Sequence, residues 1–414
     1  MPKAQPPGRR YDGRVKKRRK SGQRLKMRWQ EGIAILAGIA AVVGVSAILR
    51  SKDNDGRALA ASTRFKRQFE ADRFYKGNTH AHSQPRSQDA DSPARDVIDW
   101  YRSHGYQFLA LSEHHVSGVA GEYADVEAAG QFVTVPAEEI TFGVASGAEV
   151  HIGALCSSQS AGKHLYVNAG RAVLRAFEHV ARQDGALAQV NHPNYKRTLN
   201  TELILSGMNE GLPRKAPVLL EVANQHHQSV NAGEPLYGRL STEELWDELL
   251  AKGKRVYGVA SDDAHHLKTT RKGLGGSFDP LVPGLGWIQV EAQGTDLTAP
   301  ELCRALEKGR FYASTGVELD SIRVRGDSLE IQVTPKRGVR AENHVTYFIG
   351  SDARGVVRIL DEQRGLNPRY VLKGGERYVR ARICGPGENR RYPNRLVRMR
   401  ETCAWVQPQF VSSP

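Results

Sequence analysis

The 414-residue chain is 40% hydrophobic and 25% charged, which suits one large folded domain with a smaller companion and excludes a largely disordered polymer. Its net charge of +14 would fit a nucleic-acid partner, but residues 1–28 hold twelve Lys/Arg against the single acid Asp12. The other 386 residues carry only +3, so the basicity belongs to a tail and no nucleic-acid partner is expected of the folded body.

In chain order, residues 1–31 read as a basic cytoplasmic tail. Gly32 to Leu49 follow, eighteen residues with no charge and only Ser46 as a polar side chain. That length is close to the minimum that spans a hydrocarbon core, and positive charge before it predicts a cytoplasmic N-terminus. The favoured reading of 32–49 is a single-pass transmembrane helix that leaves the body outside the cytoplasm, at the cell membrane. A cleaved signal peptide is the alternative, with Val45-Ser46-Ala47 and Ala58-Leu59-Ala60 as small-residue cleavage sites. A buried core helix is the third reading, and the cationic tail argues against it. Residues 50–73 read as a charged spacer, helical or irregular.

From Phe74 to residue 317 a strand–helix rhythm predicts an α/β body. Apolar runs repeatedly end in His, Glu or Asp. Tyr75–Asn78 leads to His80 and His82; Phe108–Leu111 to Glu113, His114 and His115; Phe132–Val135 to Glu138 and Glu139. Glu149–Leu155 carries His151 inside it, and Ala186–Val190 leads to His192. Val218–Val222 precedes Asn224, His226 and His227, and Val256–Ala260 precedes Asp262, Asp263, His265 and His266. Helices are expected after Pro93 (Val97, Ile98 and Tyr101 on one face), over 171–182, after the capping box Ser241/Glu244, and after Thr298/Glu301 up to Gly309. Alternating strands and helices imply parallel strands with helical crossovers, and about seven units suit a closed or nearly closed barrel whose active site lies at the C-terminal strand ends. Residues 318–414 change to short alternating strands between Gly, Pro, Asp and Asn, which predicts a small C-terminal β-rich domain. Of the four cysteines, Cys384 and Cys403 lie in strand-like stretches and could pair.

His80 and His82, two apart on one strand, point to one side and can share a cation. Imidazole mixed with carboxylate suits Zn, Mn or Fe rather than Ca or Mg. A cation-bound water loses its proton near neutral pH and becomes a nucleophile, and the cations can polarise a phosphoryl or carbonyl oxygen. Lys196 and Arg197, just after His192-Pro193, could grip an anionic substrate or form a solvated loop pair.

Gly77-Asn78-Thr79-His80-Ala81-His82, Glu113-His114, Glu139-Ile140-Thr141, the strand residue His151, Asn191-His192-Pro193 and Ser261-Asp262-Asp263-Ala264-His265 together resemble the polymerase-and-histidinol-phosphatase (PHP) superfamily. Leu306 to Gly316 resembles its carbaryl hydrolase-like branch. The resemblance implies a distorted (β/α)7-type PHP barrel over 74–317. It also implies a metal set in which His80, His82 and Asp263 hold one cation and Glu139 bridges it to a second, held by His151 and His192. His114 and His265 resemble ligands of a third cation in trinuclear relatives. Those relatives place one more histidine shortly after His-x-His, where this chain reads Ser83 to Asp89 without one, so two cations are the expectation and three the extension. If free of metal, His114 or His265 could protonate the leaving group. Glu138 and Asp262 read as neighbours of the ligands rather than ligands; His115, His226, His227 and His266 as cleft residues; His179 as structural.

The function so predicted is a metal-dependent hydrolase, a phosphoesterase in the first instance, acting on a small anionic molecule. Hydrolysis of a carboxylic or carbamic ester at the same centre is the runner-up. A surface protein with purely structural metals is the reading from another class; ligands at open strand ends disfavour it, because structural sites are usually closed by four protein ligands.

Overall fold

The computed structural model describes residues 63–118, 121–127, 132–225, 229–267, 282–291, 297–392 and 395–412. The tail, the apolar segment 32–49, His226 and His227 lie outside the described residues. Among the described residues no helix is long and apolar enough to cross a membrane.

The strands are β1 (Arg64–Phe65), β2 (Phe69–Ala71), β3 (Phe74–Asn78), β4 (Phe108–Leu111), β5 (Val133–Val144), β6 (Glu149–Leu155), β7 (Leu165–Tyr166), β8 (Leu187–Val190), β9 (Val218–Asn224), β10 (Val256–Ser261), β11 (Trp287–Glu291) and β12 (Phe311–Ser314). The C-terminal strands are β13 (Leu319–Arg325), β14 (Ser328–Val333), β15 (Val345–Asp352), β16 (Val357–Arg364), β17 (Arg369–Val371), β18 (Glu376–Pro386), β19 (Asn389–Tyr392), β20 (Arg395–Arg398) and β21 (Glu401–Ser412). The α-helices are α1 (Ala94–Ser103), α2 (Ala124–Glu127), α3 (Ala169–Ala181), α4 (Thr201–Gly211), α5 (Thr242–Ala251) and α6 (Ala299–Glu307).

One sheet runs β10-β9-β8-β6-β5-β4-β3-β11-β12-β21-β18-β15-β16. The strands around the site are parallel in β3–β4–β5 and β8–β9–β10, as the rhythm predicts. The β5–β6, β6–β8 and β3–β11 pairs are antiparallel instead. The reason for the first is chain length: only four residues separate Val144 from Glu149, enough for a hairpin and far too few for a crossover helix. The body is therefore a mixed α/β sheet rather than a uniform set of βα units.

β10 ends the row, and its free edge is covered. The Gln407 side chain, 1% exposed, accepts from Gly258 N–H at 2.8 Å and donates to Gly258 C=O at 2.7 Å. It stands in for a missing neighbouring strand. A second link is the parallel bridge between Ala81 and Ala264. At the seam Gly286 lies so close to β10 that a Cβ there would stand 2.7 Å from Ser261 O, so only glycine lets the sheet curl shut.

The helices bury the expected faces. α1 covers Val97, Ile98 and Tyr101, with Pro93 as its cap rather than its first residue. α3 begins at Ala169, where Asn168 accepts from Arg171 N–H, and α5 keeps its complete capping box from Ser241 and Glu244. Helix α4 is not foreseen from the pattern, because Gly207 and Gly211 share its buried stripe with only Ile204 and Met208 as large apolar residues. These glycines let α4 lie directly on α3: a Cβ at Gly207 would come within 2.6 Å of Val173 Cγ1.

The C-terminal strands form two layers. A separate sheet, β17-β14-β13-β2, faces the β21-β18-β15-β16 end of the large sheet across a core that includes Ile322, Leu329, Ile331, Phe348, Tyr370, Ile383 and Val406. The reading of 50–73 as spacer is corrected at its end. β1 pairs with β21, and β2 with β13, so these residues complete the C-terminal layers. So few apolar side chains (Phe65, Phe69, Ala71) give no readable period; their burial depends on partners more than 240 residues away. Cys384 and Cys403 are disulfide-bonded across β18 and β21, and Cys156 is bonded to Cys303 on α6.

Gln407→Ala would leave two buried backbone groups of Gly258 unpaired. The expected loss is about 2–6 kcal/mol, from roughly 1–3 per orphaned group. A urea titration should show the midpoint falling; an unchanged midpoint would mean that β10 does not need this cover.

Candidate metal centre

Six strands deliver the eight residues singled out above to one mouth of the sheet. His80 and His82 follow β3, His114 follows β4, Glu139 lies in β5, His151 in β6, His192 follows β8, and Asp263 and His265 follow β10. Strand ends are stitched together by Asp263 N–H to His80 O at 3.0 Å, His82 N–H to Ala264 O at 2.9 Å and Glu139 N–H to Glu113 O at 3.0 Å. His115, His192 and Asp263 all have positive φ (63°, 25° and 52°). Such left-handed conformations are costly for residues with a Cβ and tend to gather at functional sites.

The buried carboxylate of Glu139 is at the centre. Its Oε1 lies 3.3 Å from His80 Nε2, 3.2 Å from His151 Nδ1 and 3.1 Å from His192 Nε2. Its Oε2 lies 3.1 Å from His114 Nδ1 and 3.7 Å from His82 Nε2. Asp263 Oδ1 is 3.2 Å from both His80 Nε2 and His82 Nε2, and Oδ2 is 3.8 Å from His192 Nε2. Donor atoms of His80, His82 and Asp263 lie within 4.8 Å of one another, as do those of His80, Glu139 and His192 and those of His114, Glu139 and His151.

The hydrogen-bond network shows which ring nitrogens bear protons. His80 Nδ1 meets Glu221 Oε1 at 2.7 Å. Glu221 is fully buried and accepts also from His192 N–H (2.6 Å), Asn224 Nδ2 (2.7 Å) and Ser261 Oγ. His80 therefore donates from Nδ1 and turns Nε2 inward; burial opposes a second proton, but Asp263, Glu221 and Glu139 prevail and hold its pKa well above the ordinary value, so Nε2 carries a proton unless a cation takes its place. His82 Nδ1 meets Ser87 Oγ at 3.1 Å, and Ser87 gives its only proton to Glu113 Oε2 at 2.6 Å. Hence His82 donates from Nδ1 as well, and its Nε2 lone pair also points inward. Burial, aided by His265 and His114, pushes the His82 pKa down to about 3, which keeps that ring neutral. Without that proton on His80, two Nε2 lone pairs 3.1 Å apart face two carboxylates. Acceptors crowded on acceptors repel unless a cation lies among them, and this donor set fits a divalent transition metal. His151, with both ring nitrogens buried and without a hydrogen-bond partner, fits the same demand. Burial alone would raise the Glu139 carboxyl, but His151 and His80 outweigh it and hold the group well below its usual range.

Glu221, Ser87 and Glu113 thus orient the candidate ligands, as outer partners of metal sites commonly do. Glu221 is legible only as part of an apolar β9 run; an acid inside a strand buried on both faces was the available signal. Asp262 does not face the cluster. Its carboxylate accepts from Gly284, Leu285 and Gly286 N–H at 2.7–2.8 Å, and from Asn78 and Tyr101 at 2.8 Å, and it clamps the seam. Glu138 accepts from Ala161 N–H on the other side of β5.

Asp89 lies in the Ser83–Asp89 stretch that lacks the expected histidine. Its Oδ2 lies 3.4 Å from both His114 Nε2 and His265 Nε2, so a carboxylate stands where the additional ligand was absent from the pattern. A cavity of about 690 Å³ opens over the cluster, lined by Arg86, Asp89, His114, His115, Thr141, His151, Lys163, Tyr195 and Lys196 among others. Lys196 pairs with Glu149 at its lip. Arg197 turns away to Glu234 at 2.6 Å and stacks on Tyr237. His266 faces Asp91 at 3.6 Å and His179 accompanies Gln159 and Gln183, outside the cluster.

No family model matches the sequence, and no curated protein matches it. Several solved structures are similar, two of which follow. One is a two-domain protein from Bacteroides vulgatus containing a predicted PHP-like metal-dependent phosphoesterase, at 16% identity and a TM-score of 0.40 over 77% of this chain and 91% of that one. The other is a candidate metal-dependent phosphoesterase from Bifidobacterium adolescentis, at 13% identity and a TM-score of 0.33 over 49% and 92%.

Two outcomes follow from this geometry. Glu221→Gln should weaken metal binding about 10–100-fold, the usual cost of losing an outer partner, in a competition titration with a chromogenic chelator; unchanged affinity would show that His80 is oriented by other means. Burial raises the Glu138 pKa to about 7 against an ordinary carboxylate value near 4.5. Between those values the unfolded chain has released a proton that the folded one keeps, so this group lowers stability as pH rises through the window and adds nothing further above it. Glu138→Gln should therefore gain melting temperature relative to the parent from pH 5 to pH 8, and parallel curves would sink that assignment.

Proposed function

We propose that the chain is a metal-dependent hydrolase of phosphoesters, of the PHP type that its motifs resemble. The observation that carries this is the inward-facing Nε2 atoms of His80 and His82 set against the buried carboxylates of Glu139 and Asp263. His80, His82 and Asp263 would hold one divalent cation, Glu139 would bridge to a second, and His151 and His192 would complete it. When bound, such cations lower the pKa of water and offset charge developing on a phosphoryl oxygen.

The chain's own residues supply the rest. Glu221 and the Ser87–Glu113 pair hold the two imidazoles in the tautomer that presents Nε2. Asn191 Nδ2 donates to Glu139 Oε1 at 2.8 Å and fixes the carboxylate's plane. Lys163 and Lys196 at the cavity lip favour an anionic substrate over a neutral carboxylic or carbamic ester. His114, His265 and Asp89 form a further cluster at the cavity side, which would hold a third cation. Free of metal, His265 keeps a proton for a leaving oxygen: burial opposes this, but Asp89 and Asp263 prevail and raise its pKa to about 9.

The proposal extends to location. All four cysteines are in disulfides, and disulfides persist in oxidising compartments. That supports a body outside the cytoplasm, tethered through 32–49.

Metal analysis of the purified protein should find about two transition-metal ions per chain, as the two-metal template requires. The protein should hydrolyse phosphate monoesters or diesters when supplied with Mn or Zn, and Glu139→Gln should lower kcat at least 10³-fold, the scale of losing a principal electrostatic element. Absence of metal, or activity on carboxylic esters alone, would remove the phosphoesterase reading.

A further inference from the structure

A second polar cavity lies at the other end of the strands. It has a volume of about 540 Å³ and is lined by Lys66, Arg67, Arg255, Tyr257, Glu307 and Lys308, with Gln409 and Phe410 at its back. Arg255 immediately precedes β10 and Asp263 follows it. The six residues of β10 put roughly 20 Å between this cavity and the metal centre, at about 3.3 Å per residue. Four cations converge there against one acid, Glu307.

The cations come from segments distant in sequence. Lys66 and Arg67 follow β1, Arg255 ends the α5–β10 loop, and Lys308 caps α6. Arg67 is held in place: Nη1 donates to Lys308 O, and the guanidinium lies 4.8 Å from the centre of the Phe69 ring. Its Nη2 is buried and has no hydrogen-bond partner. A fixed guanidinium with a buried donor unspent, among three further cations, lacks an acceptor with two or more oxygens and negative charge. A carboxylate of the chain would be the usual structural solution, and none is supplied to that atom. Phosphate oxygens match the planar fork of arginine, and ammonium groups add point charges around them.

We propose that this cavity is a phosphate-binding site, separate from the metal centre, in which Arg67 grips the anion and Lys66, Arg255 and Lys308 surround it. The phosphate comes from a free anion or from a phosphomonoester headgroup of a lipid; the strap bearing Lys66 and Arg67 follows the segment 32–49 expected to be a transmembrane helix, so both sources are tested. The inference stands independently of the hydrolase reading, since no residue of the cavity belongs to the metal cluster.

The test is calorimetric titration of the full chain in neutral detergent with inorganic phosphate, with soluble dihexanoyl phosphatidic acid, and with dihexanoyl phosphatidylcholine as control. It compares the parent with Arg67→Ala and with the exposed pair Lys66→Glu/Arg255→Glu, which leaves the half-buried strap intact should Arg67→Ala destabilise the fold. Metal content serves as the check that the other site is undisturbed. The parent should show a binding event that weakens at least tenfold in both variants while metal content stays unchanged. Loss of that event with inorganic phosphate assigns the free anion, and loss with the phosphatidic acid alone assigns the headgroup. Equal titrations in parent and charge-reversed pair, or binding of the phosphatidylcholine as tight as that of the phosphatidic acid, would overturn the proposal.

Discussion

Glu139 sits almost out of reach of water with five imidazoles within 3.7 Å of its oxygens, and the rest of the molecule is arranged around that crowding. A carboxylate and neutral rings with inward lone pairs have no reason to be buried together by hydrophobic burial, which would expel them. Their burial makes physical sense when positive charge is available to sit among them. The surrounding groups reinforce this. Glu221 and the Ser87–Glu113 pair take up the outward ring protons, so that the inner Nε2 atoms of His80 and His82 are aimed at the acids and at the positive charge that sits between them.

Such a cluster needs a frame that keeps six strand ends within a few ångströms. The sheet provides it by curling until β10 meets the β11 side. The closure is made of unlike parts. Gln407 completes the edge of β10, Gly286 allows the backbones to touch at Ser261, and Asp262 binds three successive N–H groups of the same seam. The C-terminal layers take part directly, because Gln407 lies on β21 and Arg380 on β18 reaches Asp247 on α5 at 2.5–2.7 Å. They are a buttress for the large sheet as well as an appended unit.

Much of the candidate site was legible because its residues follow apolar runs in a fixed order. A strand that stops at His-x-His, Glu-His or Asp-Ala-His advertises its chemistry locally. Asp89 and Glu221 were not legible in the same way. Asp89 sits in a loop of mixed polar residues, where one more acid raises no signal, and Glu221 is hidden in a strand otherwise apolar. The direction of the strands was half legible: β5 and β6 are too close in sequence for a crossover, yet both carry site residues, and the rhythm of the rest masks the hairpin. Helix α4 escaped because close packing on α3 asks for glycine, which carries no hydrophobic period.

Local composition thus determined which residue types could meet a cation, where strands ended, and that an α/β body precedes a β-rich one. Those properties are written within windows of about ten residues, the range over which periodicity and turn chemistry act. Which nitrogen of each ring faces inward, which acid orients and which bridges, and how the sheet is sealed were decided only by tertiary structure. The physical reason is that hydrogen-bond direction and mutual burial depend on distances between groups such as His80 and Glu221, 141 residues apart along the chain. No local pattern encodes such a separation.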